Sequence, residues 1–400
     1  MRQAFHAADT AGIKRAASAR ARSDTMASLR NLIATLVLAV PLLDAKAEKP
    51  DLAVLLEPIR AKHEVPALAG CIVGIDGPIA VGAVGIRSVG SDAPVAEGDL
   101  WHLGSCTKAM TATLLAVYVE RGTLSWTATL AELFPEHAEV MDAGFRPVTV
   151  AQLLAHRSGL AKKHDRGGAE GKRLRKTLST RAFRAWLARH WLSSKPARAP
   201  GGSYEYSNAN YIIAGVIAEK IGDASWEELI RKELFEPLGM STAGFGPPGS
   251  ADAIDQPRAH RRNGDDLVPV PPGPGADNPV FYGPAGTVHA SLADWARFVA
   301  LHLRGETGTS KLLKPETLQR LHRPAEGESY AFGWICTERE WAGGRTLTHA
   351  GSNTMWYCVA WVAPQKGFAV LTATNVAGRA AKKATDGAAA ALIKKHIGRR

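Results

Sequence analysis

The segment Gly104-Ser105-Cys106-Thr107-Lys108 places a hydroxyl and an amine three residues apart, neighbours on one face if the chain is helical there. A serine hydroxyl is a poor nucleophile until a neighbour takes its proton. A lysine held in a dry cleft can take it, because burial disfavours the ammonium and lowers its pKa. This Ser-x-x-Lys spacing occurs once in the chain. It opens the clearest helical pattern, Thr107 to Arg121, in which Met110, Leu114, Leu115, Tyr118 and Val119 share a face and Gly122 is suited to end the helix. Ser105 at that helix start would aim its backbone N–H outward with the positive end of the dipole behind it. Taken alone, the pattern also fits a capping serine followed by an exposed lysine.

Two further clusters carry chemistry. Tyr204-Glu205-Tyr206-Ser207-Asn208-Ala209-Asn210-Tyr211 precedes a helical pattern. Tyr206 there can relay a proton, while Asn208 can hold a substrate amide or orient Lys108; the plain reading is a helix cap with aromatic packing. Thr348-His349-Ala350-Gly351-Ser352 ends a strand-like run. Glycine lets a substrate lie close to the strand, and the Ser352 N–H can join that of Ser105 as a two-donor oxyanion hole.

Ser-x-x-Lys, Tyr-x-Asn and His-x-Gly in this order resemble the β-lactamase-related serine hydrolases: class C β-lactamases, DD-peptidases, D-aminopeptidases and some esterases. Leu153 to Leu160, Phe235-Glu236-Pro237-Leu238-Gly239-Met240, Pro284-Ala285-Gly286-Thr287, Tyr330 to Trp334 and Thr374-Asn375 have the same texture, so the resemblance runs from about Val54 to the C-terminus. It implies Ser105 as the acylated nucleophile, Lys108 with Tyr206 as the proton shuttle, and Asn208 on the substrate. His349 and Gly351 would form a third wall, with the N–H groups of Ser105 and Ser352 as the oxyanion hole. The implied fold is α+β, a mainly antiparallel sheet flanked by helices beside an all-helical lobe, with the site between them. One departure is His349, where class C enzymes carry lysine. A mostly neutral histidine anchors a carboxylate less firmly, which tilts the expectation towards peptidases and esterases.

The elements that must position these residues follow the same plan. Gly70 to Val89 reads as a hairpin turning at Asp76-Gly77. Residues 124–280 read as helices and polar loops, including helices at Asn210–Ile221 and Trp226–Leu234 and a stiff Pro-rich loop at 268–275. A helix from Leu292 to Leu303, strands at 330–336, 346–350, 355–363 and 368–374, and a helix at 380–397 complete the pattern. Strands at both chain ends with helices between imply a sheet lobe (50–122 and 285–400) against a helical lobe (123–284).

Composition narrows the classes. With 400 residues and 46% hydrophobic content the chain can bury a sizeable core. A basic start at Met26, an apolar run from Leu32 to Leu43 and Ala45-Lys46-Ala47 read as a signal peptide cleaved after Ala47, with residues 1–47 removed. The run is too short to span a membrane, which takes about 20 apolar residues. A periplasmic or secreted location follows, and with it the possibility of disulfides among Cys71, Cys106, Cys336 and Cys358. Cys336 and Cys358 lie in neighbouring strand-like runs; free buried thiols are the alternative.

The net charge of +11 is concentrated, since residues 161–200 hold twelve Lys and Arg against Asp165 and Glu170. Such a cluster can meet an anionic substrate or simply be a solvated helical face; its aromatics are too sparse for nucleic-acid stacking. If it overhangs the cleft, it offers attraction for anionic substrates that His349 does not. No cofactor or metal is expected: there is no His-Glu-x-x-His and no ligand-spaced cluster among the 13 histidines. Gly-x-Ser-x-Gly is absent too, against an α/β-hydrolase. The expected partner is therefore a small-molecule or peptide substrate. The rival functions are a class C-like β-lactamase and a non-catalytic penicillin-binding or sensing domain.

Overall fold

The computed structural model describes residues 51–308 and 310–398. The expected signal peptide lies outside the described residues. Lys49–Arg400 forms one compact unit. Its centre is a six-stranded, wholly antiparallel sheet in the order Gly77–Gly85, Ala67–Gly74, Phe368–Thr374, Tyr357–Ala363, Gly344–Ser352, Ile335–Arg339. The N-terminal hairpin and the C-terminal strands thus meet in the middle, where Cys71 pairs with Leu371.

Alternation along Ala67–Gly74 explains why both faces are covered. Leu68 and Ile72 join Leu56, Ala384 and Leu392 under the helices Ala53–Lys62 and Arg379–Ile397. Ala69, Cys71 and Val73 turn the other way, into the main core that includes Trp295, Val299 and Leu303 of the Leu292–Thr307 helix. Helices predominate among the regular elements of residues 123–284, with Thr180–Leu192, Asn208–Gly222 and Trp226–Ile230 packed on the Thr107–Glu120 helix or its neighbours. Three helix starts in the chain's middle carry capping boxes, at Thr129, Thr149 and Ser225, which pair the orphan N–H groups locally.

Four expectations need correction. Residues 268–270 are not a loop: Asp266–Val270 pairs with Ala259–Asn263 as a two-stranded ribbon, whose edges tolerate Pro269. The strand expected at 330–336 is confined to Ile335–Arg339; Tyr330 makes one isolated bridge to Ile335 and its buried hydroxyl bonds His349. The helix expected through Leu234 ends as α-helix at Ile230 and continues as a π turn, Arg231–Phe235. Cys336 and Cys358 share the sheet, but the Gly344–Ser352 strand separates them. The sulfur nearest Cys358 is that of Cys106, at 3.7 Å, and all four thiols are free.

Candidate active site

The Gly104–Lys108 segment is shaped by two glycines and a helix that is buried all round. Leu103 N–H donates to Val288 O (2.8 Å), and Gly104-Ser105-Cys106 then turns into the Thr107–Glu120 helix. Gly104 has φ +46°, and a methyl group there would lie 2.4 Å from the Ser352 backbone nitrogen. A methyl group on Gly351 would lie 1.9 Å from Leu103 O. Both glycines are therefore required by the close approach of the serine turn to the end of the Gly344–Ser352 strand. That approach brings the backbone around Ser352 against the Ser105 turn, the arrangement two convergent N–H donors need.

Ser105 Oγ sits between two donors. Lys108 Nζ donates to it at 3.0 Å and the Tyr206 hydroxyl at 2.7 Å. Lys108 also donates to Ala285 O at 2.6 Å, and its Nζ lies 4.9 Å from the centre of the Tyr206 ring. The lysine is fully buried and has no carboxylate partner among the described residues. Burial holds its pKa down to about 7, with the Cys106 thiol as a smaller opposing influence. An amine in that range is divided between its two forms near neutrality, as proton transfer requires. Burial pushes the Tyr206 phenol above its ordinary value, the Ser105 hydrogen bond opposing, so the ring enters as a neutral donor. Thr107 and Thr111 anchor the same helix face: Val288 N–H donates to Thr107 Oγ1 at 3.2 Å, and Thr111 Oγ1 donates to Pro284 O at 2.7 Å.

The third wall holds His349 in an unexpected state. Its side chain is buried; Nδ1 donates to Ala350 O at 2.8 Å, leaving Nε2 to accept from the Tyr330 hydroxyl at 3.1 Å. Burial, then the charge of Lys108, bring its pKa down to about 4. Both ring nitrogens are spent inside the protein, so the imidazole is a neutral strut under the cleft. Asn208 opens the Asn208–Gly222 helix, half-buried, its side chain making no hydrogen bond to the described residues. Its neighbour Asn210 is the networked one, donating to His156 Nδ1 (2.9 Å) and accepting from Ser158 Oγ (2.5 Å).

His156 was legible only as a loop residue, and the structure gives it a positioning place. Its backbone is left-handed at φ +56°, and its ring packs 4.5 Å from Tyr206, 5.2 Å from Tyr211 and 4.8 Å from Tyr330. Trp356 is sheet core, edge-on to Trp101. Glu205 pairs with Arg198. A second feature had no sequence signal. His102 Nε2 lies 2.8 Å from Asp277 Oδ1 while its Nδ1 accepts from Gly104 N–H, and Asn353 Nδ2 donates to the same carboxylate oxygen at 2.9 Å. Asp277 thus ties the serine turn to the residue after Ser352. No group of three or more metal-ligating side chains occurs among the described residues.

The family model described as Beta-lactamase matches residues 52–395. The chain belongs to the Beta-lactamase family. This member of it is a β-lactamase-related serine hydrolase. Penicillin-binding protein 4 of Amycolatopsis lactamdurans is 26% identical over 287 residues, covering 68% of this chain and 71% of its own. Other relatives are matched over about half of their own length or less. Among solved structures, D-alanine carboxypeptidase AmpC from Burkholderia cenocepacia superposes with TM-score 0.67 at 22% identity, over 86% of this chain and 97% of that one. A class C beta lactamase from Rhodobacter sphaeroides gives 0.68 at 20%, over 86% and 99%. These superpositions support the fold.

Proposed function

We propose that this serine hydrolase cleaves an amide, peptide or ester bond through an acyl-enzyme on Ser105, with Lys108 and Tyr206 moving the protons. The observation that carries the reading is the pair of donors on Ser105 Oγ, one of them a buried lysine near neutrality. The Ser105 proton passes to Lys108 as Oγ adds to the carbonyl carbon. The oxyanion rests on the N–H groups of Ser105 and Ser352. Tyr206 gives its proton to the departing nitrogen or oxygen and recovers one from Lys108. Water then adds by the reverse sequence and releases the acid. Asn208 and the edge at Gly351 face the substrate in this reading.

A neutral, internally bonded His349 leaves no cation at the third motif, which favours peptidase or esterase chemistry over a class C-like β-lactamase. Export with cleavage after Ala47 belongs to the same proposal; a mature N-terminus elsewhere on the secreted protein would remove it. The deciding test is intact mass after fluorophosphonate treatment. One adduct on the native chain and none on Ser105→Ala is expected; an unlabelled, folded native chain would return the molecule to a binding or sensing role.

A further inference from the structure

The basic segment behaves differently from one part to the next. Arg181 pairs with Asp223, Arg184 with Glu219 and Glu227, and Arg198 with Glu205. Arg166, Lys172 and Arg175 have no carboxylate partner among the described residues, and all three line one cleft of roughly 400 Å³. Its floor is aromatic: Phe183 and Phe281 pack edge to face at 5.2 Å, both buried. The Arg166 guanidinium lies 5.9 Å from the Phe281 ring and 5.4 Å from Tyr282, and donates to the Tyr282 hydroxyl at 3.2 Å; Arg175 lies 5.7 Å from Phe281. Ring contacts of this kind hold a guanidinium while leaving most of its N–H groups free. The rim carboxylate, Asp165, is turned to the His190 ring at 3.2 Å. His164 bonds to Tyr282 and is neutral near pH 7, burial and then the Arg166 charge bringing it down to about 4.

One short stretch of chain touches both the cleft's Arg166 and the lysine beside Ser105. Tyr282, which bonds Arg166, stands three residues before Ala285, whose carbonyl receives Lys108 Nζ. Three residues are about one helical turn, roughly 5 Å. We infer that the Arg166–Lys172–Arg175 cleft is a subsite of the active site that takes an anionic group, carboxylate or phosphate, carried on an aromatic or apolar body of the acyl substrate. Guanidinium forks match both oxyanions bidentately, and the Phe183–Phe281 floor covers the attached ring. This inference rests on the acyl-transfer reading for its connection to catalysis.

The test uses 4-nitrophenyl benzoate and its analogues bearing a para carboxylate or a para phosphate, with the full chain and two variants. Native protein is expected to have a KM for the anionic esters roughly tenfold below that for the neutral one. Arg166→Ala/Arg175→Ala should lose that ratio. Arg189→Ala/Lys195→Ala, which removes two exposed charges of the same segment outside the cleft, should keep it. The carboxylate and phosphate arms tell which oxyanion is preferred. Equal ratios in native protein and Arg166→Ala/Arg175→Ala, or equal loss in both variants, would overturn the subsite. If fluorophosphonate fails to label Ser105 and no ester is cleaved, the acyl-transfer reading has failed by itself. Quenching of tryptophan fluorescence by terephthalate and phenyl phosphate then decides. Binding that Arg166→Ala/Arg175→Ala abolishes keeps the anion site, and no binding overturns it.

Discussion

Among the described residues two basic side chains, Lys108 and Arg184, are fully buried, and their surroundings are opposite. Lys108 at the cleft floor is held by Ser105 Oγ and the Ala285 carbonyl, with aromatic rings beside it and no carboxylate partner among the described residues. Arg184, on the helix Thr180–Leu192, is wedged against Glu219 and Glu227 and also donates to Phe281 O. The first arrangement penalises the charged form and leaves an amine that titrates near 7. The second compensates the charge and turns a guanidinium, which proteins do not deprotonate, into a strut between helices. Burial alone therefore does not say what a cation is for; the presence or absence of a carboxylate does.

Breaking each site should expose that difference. Lys108→Ala should lower the rate of Ser105 acylation by roughly 10³-fold with the fold retained, read as the time course of fluorophosphonate labelling. Equal labelling rates would show that Lys108 is not the base. Arg184→Leu should do the reverse, leaving Glu219 buried without its partner and costing about 3–5 kcal/mol of stability. Denaturant unfolding reads this, and the labelling rate of the protein that remains folded should change little. Tyr206→Phe should reduce turnover by about 10²-fold, with a larger effect on amides than on activated esters, whose leaving groups need no proton.

The pH dependence sharpens the comparison further. Lys108 must be neutral to accept a proton, so acylation should fall about tenfold per pH unit below its pKa, with a midpoint near 7. A flat profile between pH 5 and 8 would remove the lysine from the base role. Stability should respond in a different window. Burial depresses the folded pKa of His349 to about 4 and holds that of His156 well below its ordinary value. The unfolded chain then binds more protons than the native one as pH falls from about 6.5, and stability is lost progressively towards 4. Melting temperature between pH 7 and 4 measures it, and His349→Gln should blunt the slope.

Much of the fold was legible because its signals are local. Phe368–Thr374 is a run whose buried character its own residues declare, and the Asp76-Gly77 turn needs the positive φ that Gly77 adopts, +124°. The ribbon at 259–270 was missed because a proline-rich stretch reads as loop unless a partner strand is known. Asn208 stood out by motif spacing, whereas the asparagine that the network uses is Asn210, chosen by where His156 lies 54 residues earlier.

That Ser105 and Lys108 are neighbours is written in the chain's local spacing. Three residues on a helix bring Ser105 and Lys108 together whatever surrounds them, and the turn-making glycines are likewise local requirements. Only tertiary structure decided the electrostatics. The Ala285 carbonyl that holds Lys108 comes from 177 residues away, and Tyr206 from 101. Whether Lys108 is a base, His349 a strut or Arg166 an open cation depends on which groups are within a few ångströms and on how much water is excluded. Those are properties of packing between distant segments, and residue spacing does not encode them.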